Sequence, residues 1–177
     1  MGWETPRTFI DGQLVPTTAL NVDVRDNLNA IRWIAVHKTA DETVANSATV
    51  QDDDHLFVPV GAGDVWSFQA SVLYVPGASG GGFRWSWYGP TGSTGSWACG
   101  GKDVAGTIIA SGAEGLAAEL TDAQTSATQV AQLFYGTVAV GATAGNLLFR
   151  WAQNTSNAVA TTVKTGSLLK AWRLVGG

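Results

Sequence analysis

Residues 64–75 read DVWSFQASVLYV. Trp66, Phe68, Ala70, Val72 and Tyr74 alternate with Val65, Ser67, Gln69, Ser71 and Leu73. That period of two sends one set of side chains to a core and the other to the far face of a strand. The same texture extends outward in both directions. In HLFVPV (55–60), Leu56, Val58 and Val60 share a face; in GGFRWSWYG (81–89), Phe83, Trp85 and Trp87 lie opposite Arg84, Ser86 and Tyr88. ETVANSATVQ, GTIIAS, TQVAQLFYGTVAV, NLLFRWAQ, ATTVKT and SLLKAWRLV are further strands, separated by turn-forming clusters such as PGASGGG, PTGSTGS and VGATAGN. EGLAAELTDAQ (114–124) reads as a short helix. About eight strands with turns between them and no fixed repeat predict an antiparallel β-sandwich of jelly-roll or Greek-key type.

One stretch departs from this texture. LNVDVRDNLNAIRWI (20–34) carries Leu20, Val24, Leu28, Ile31 and Ala35 on one helical face, and Leu20, Val24, Asn27, Ile31 and Ile34 fit a heptad seam equally well. Thr17 or Thr18 is the expected N-cap. The preceding segment, punctuated by Pro6, Asp11-Gly12 and Pro16, reads as an extended arm. The division expected is an arm and amphipathic helix over residues 1–36 and a sandwich over 37–177. Burying four or five aliphatic side chains gains about 6–15 kcal/mol in total. Ordering the helix costs roughly 1–2 kcal/mol for each residue. The helix therefore needs a partner surface.

The chain has 177 residues, so it needs no disulfide or metal staple, and its single cysteine allows no internal bridge. Net charge is −4 and charged residues make up only 14%, with 22 glycines; sparse charge among small and β-branched residues suits a repeating assembly. No basic stripe points to nucleic acid, no apolar run reaches membrane-spanning length, and MGWETPRTF has no signal-peptide pattern. A soluble protein made in a cytoplasm is expected, with no cofactor.

Catalytic signals are weak. GASGG (77–81) matches a serine-hydrolase elbow, but a strand-like run follows it and both histidines, His37 and His55, precede Ser79. A flexible Gly-rich loop is the expectation. QDDDHL (51–56) clusters Asp52, Asp53, Asp54 and His55. Three adjacent carboxylates cannot alone supply the six to eight oxygens of a calcium site. A solvated hairpin turn is expected there, with an ion site completed by a neighbouring subunit as the rival. Cys99 has no activating neighbour in sequence and reads as a small buried hydrophobe. Phe83, Trp85 and Trp87 are core or interface on the default for large aromatics; the rival is an exposed platform on which sugars stack.

TPRTF…DGQLVPTTALNVDVRDNLNAI resembles the N-terminal motif of a family of tailed-bacteriophage virion proteins. The matching residues are Trp3, Thr5, Pro6, Arg7, Thr8, Gly12, Val15, Leu20, Asn21, Val24, Arg25, Asp26, Asn27 and Leu28. Phe9 and Val22-Asp23 depart from the pattern. The stretch from Phe149 through Trp172 is similar to the ending of such proteins. The resemblance implies a non-enzymatic structural protein of the virion surface, a capsid decoration or a tail or fibre component, made in the host bacterial cytoplasm. Its implied partners are copies of itself, as a homotrimer, and other virion proteins; a host surface glycan is a further candidate. The assembly residues would be Leu20, Val24, Arg25, Asp26, Asn27, Leu28 and Ile31. The rivals are a glycan-binding module using Phe83, Trp85 and Trp87, and a cell-envelope hydrolase.

Overall fold

The computed structural model describes residues 5, 7–30, 33–102, 105–106, 108–110 and 114–176. Among these, the strands form two antiparallel sheets. The smaller is built from β3 (Gln51–Val60), β11 (Gly145–Ala152), β5 (Phe83–Tyr88) and β9 (Leu120–Asp122), hydrogen-bonded in that order. The larger has at its centre β4 (Val65–Val75), β10 (Val130–Ala139), β6 (Thr94–Lys102) and β7 (Ile108–Ala110), again in that order, with β8 (Glu114–Gly115) also on β6. With β8 set aside and these eight strands counted in chain order, one sheet runs 1-8-3-6 and the other 2-7-4-5. Apart from β6 and β7, successive strands cross between sheets, and the result is a jelly roll.

The four remaining strands enlarge the second sheet beyond β4. β13 (Leu168–Val175) pairs with β4, and β1 (Ile34–His37) pairs with β13. β12 (Thr161–Val163) pairs with β4 and with β2 (Glu42–Val44). The first and last strands thus form one extension.

The alternation read from residues 64–75 holds. Trp66, Phe68, Ala70, Val72 and Tyr74 all point into the core, against Leu56, Val58 and Val60 of β3 and the aromatics of β5 and β11. Phe134 of β10 lies at the centre of the aromatic packing, edge-on to Trp85 and Trp87 and tilted against Phe149 and Trp97. Cys99 is buried in the same core.

Several expectations change. The helix begins at Thr17 with Pro16, not a threonine hydroxyl, as its cap; the extended ψ of 145° at Pro16 sets the entry. It runs as α1 (Thr17–Leu20), a π-helical stretch (Asn21–Asp26) and α2 (Asn27–Ala30). Ile34 is already in β1, paired with Ala171, so the sandwich starts before residue 37. EGLAAELTDAQ is no helix: it is β8, a turn at Leu116 and Ala117, and β9. QDDDHL is no hairpin turn but the start of β3. The Gly-rich loop before β5 is tightly packed. A Cβ on Gly81 would lie 1.7 Å from the Thr155 carbonyl oxygen, and Gly82 has φ +74°. Glycine is required there for close approach and for left-handed backbone.

Candidate functional site

The helical segment buries the face beside its apolar stripe, one residue earlier along each turn, and leaves the stripe itself outside. Ala19, Asp23 and Asn27, spaced four apart, face inward, whereas Leu20, Val24 and Leu28 are 47%, 49% and 59% exposed. The π-helical stretch explains the spacing, because its wider turn brings residues four apart closer to alignment than a 3.6 period does. Asn27 takes part in this geometry: its Nδ2 donates to the Asp23 carbonyl at 3.2 Å, while its backbone N–H bonds to Val24 O. The arm supplies cover on the polar side, where Arg7 Nε meets the Asp23 carboxylate at 2.7 Å. Arg25 and Asp26 pair with each other at 2.8 Å on the surface, and that hydrogen bond raises the Arg25 pKa. Among the described residues, no strand packs extensively against the segment. Ile31 lies outside the described residues.

The apolar stripe of the helix therefore has no broad cover from the sandwich, and the arm adds Ile10 and Leu14, 75% and 93% exposed. The arm and helix are the residues sequence reasoning singled out for assembly. The structure brings Leu20, Val24 and Leu28 to the surface and buries Asn27 within the chain itself.

Phe83, Trp85 and Trp87 are fully buried. They pack on Tyr74, Phe68, Phe134 and Phe149, so the glycan platform assigned to them is corrected: no sugar reaches these rings. Among the described residues, exposed aromatics are Phe9 on the arm, Phe57 and Tyr88 on the smaller sheet, and Trp33 and Tyr135 at the outer face of the larger sheet. Trp33 stacks on Trp172 with centroids 5.0 Å apart, and Lys170 Nζ lies 5.8 Å from the Trp33 ring. Next to them Tyr135 and Leu133 stand on a shallow groove of about 370 Å³ over Gln69, Ser71 and Leu168. This face was legible in principle: Leu133 and Tyr135 fall out of phase with the inward Phe134.

The acidic cluster resolves into two layers. Asp52 and Asp54 face outward, and Asp52 pairs with Arg150 Nε at 2.7 Å. Asp53 is buried, as is Lys38 in the loop after β1. Lys38 Nζ donates to Asp53 Oδ2 at 2.8 Å and to Glu42 Oε2 at 2.5 Å, with His55 Nδ1 at 3.5 Å. Glu42, Asp53 and His55 place their ligand atoms within 4.8 Å of one another, as a cation site would. The Lys38 ammonium already supplies positive charge at their centre. A carboxylate taken out of water needs every lone pair satisfied, and Asp53 has that. Trp151 Nε1 donates to Oδ2 at 3.2 Å, and the backbone N–H groups of His55 and Leu56 both donate to Oδ1 at 2.9 Å.

Those two N–H groups are free to turn inward because β3 bulges here. Between Leu148 and Arg150 the partner residues jump from Phe57 to Asp52, leaving Asp53–Leu56 outside the regular register. The centre joins the two sheets at one edge of the sandwich: Lys38 and Glu42 come from the terminal extension, Asp53 from β3.

No family model matches the sequence, and no curated protein matches it. Two solved structures show a distant likeness. One is a chain of the structure of infectious bursal disease virus Gt strain, 9% identical, covering 96% of this chain and 46% of that one, with a TM-score of 0.22. The other is from the Gx strain of the same virus, 8% identical, covering 79% and 38%, with a TM-score of 0.21. This chain spans less than half the length of each, and at these TM-scores the likeness carries no argument. No described helix is long and apolar enough to cross a membrane.

Proposed function

We propose that the protein is a non-enzymatic structural component of a tailed-phage virion, held in place through its N-terminal arm and helix and assembled as a homotrimer. The observation that carries this reading is the apolar stripe of Leu20, Val24 and Leu28, exposed on a helix that no strand covers broadly. A helix of this length is marginal alone in water, so its apolar face needs a partner. The resemblance of both chain ends to virion proteins points to copies of this chain and to other particle proteins as that partner. A jelly roll is used by viral shells, and equally by lectins and cupins, so the fold is compatible with the reading without selecting it. Whether the site is a capsid or a tail is a question of copy number per particle.

Removing residues 1–30 tests it, since this cut spares β1. By sedimentation the full chain is expected to be a trimer and the shortened chain a folded monomer that no longer joins particles. A full chain that sediments as a monomer, with particle incorporation unchanged by the cut, overturns the reading.

A further inference from the structure

We propose that Lys38 and Asp53 condense to an intramolecular amide, a covalent cross-link between the two sheets, with Glu42 as the proton carrier. This stands apart from the assembly reading and needs no cofactor. The components of the reaction are together and shielded from water. The Lys38 and Asp53 side chains are both 0% exposed and 2.8 Å apart, and the Glu42 side chain, whose Oε2 lies 2.5 Å from the amine, is 11% exposed. Holding an amine and a carboxyl group in contact converts a bimolecular condensation into a unimolecular one.

The step balances without an oxidant or reductant. The ammonium first returns one proton to Asp53 Oδ2, giving a neutral amine and a neutral acid. Lys38 Nζ then attacks Asp53 Cγ. Negative charge develops on Oδ1, where the His55 and Leu56 N–H groups already donate at 2.9 Å, the arrangement of an oxyanion hole. Glu42 Oε2 takes the second proton from nitrogen and delivers it to Oδ2. The Cγ–Oδ2 bond breaks and Oδ2 leaves as water, assisted by the Trp151 indole N–H that donates to it. One N–C bond forms, one C–O bond breaks, and one water is released.

Intact-mass spectrometry of the purified full chain reads the outcome directly. The expected mass lies below the sequence mass by one water, about 18 Da, and proteolysis yields one branched peptide joining the Lys38 and Asp53 segments. E42Q is expected to remain at the sequence mass. D53N is expected to end at the same cross-linked product as the wild type, with ammonia as the leaving group. A wild-type chain at its full sequence mass after prolonged incubation at neutral pH overturns the proposal. So does a water loss that persists in K38M, because the lost water would then come from another site. Condensation in E42Q at the wild-type rate removes Glu42 from the reaction.

Discussion

The helix and strand β5 are opposite solutions to one problem. Both carry an apolar set at regular spacing. In β5 the set Phe83, Trp85 and Trp87 is sealed in the core, and in the helix the set Leu20, Val24 and Leu28 is left outside while Asn27 is buried. Periodicity tells which residues share a face; it does not tell which face another surface will cover. For the sandwich the second sheet of the same chain is that surface. For the helix it is not, and this difference is the strongest pointer to function that the molecule offers.

The contrast can be broken from either side. The largest effect is expected at the core: Trp85→Ala should cost about 3–5 kcal/mol, the range for large-to-small changes at packed aromatic sites. Urea denaturation checks it, and a loss below about 1 kcal/mol would deny that these rings form a tight core. Next, a combined Leu20→Ser, Val24→Ser, Leu28→Ser chain should leave the sandwich within about 0.5 kcal/mol of wild type, as exposed substitutions do. A large drop in the same denaturation assay, at concentrations where both chains are monomeric, would place the stripe against the sandwich after all.

The smallest effect belongs to an exposed pair. Lys164 bonds to Asp41, and the Thr165 N–H donates to the same carboxylate at 2.8 Å. The Lys164 hydrogen bond, ahead of the backbone one, holds the Asp41 pKa below its ordinary 3.8. A carboxyl depressed in the folded state stabilises fully above its unfolded pKa, and that share is lost as pH falls through the lower folded value. Melting temperature should therefore fall on acidification below about pH 4, and Asp41→Asn should make that acid limb slightly shallower. An acid limb identical in the variant would show the pair to be inert.

The strands were legible because a half-buried sheet forces alternation, as Trp66 to Tyr74 shows. The covered face of the helix was not, because Leu20, Val24 and Leu28 share a face as their spacing predicts, and a helical period does not say whether the chain's own sandwich lies against it. The charge centre was half visible. Lys38 falls in phase with Ile34 and Val36, which pack against the core, and Glu42 falls in phase with buried Val44. A lysine on that beat signals a buried partner. Asp53 is out of phase with Leu56, Val58 and Val60, and only the bulge in β3 turns it inward. Bulges add residues without a sequence mark, so the partner could not be named in advance. Glu114 to Gln124 failed for a related reason: the short strands β8 and β9 take their order from β6 and β5, not from local preference.

The pairing of β1 with β13 gives the molecule a mechanical direction. A pull on the arm or helix reaches the sandwich at Ile34 and meets only four paired residues, Ile34 to His37, which can open one after another. The next residue is Lys38, tied through its side chain to the opposite sheet and through its backbone to Ser167 and Gly166. Tension applied from outside would spend itself in that short zipper and stop at the lysine, leaving the jelly roll unstrained.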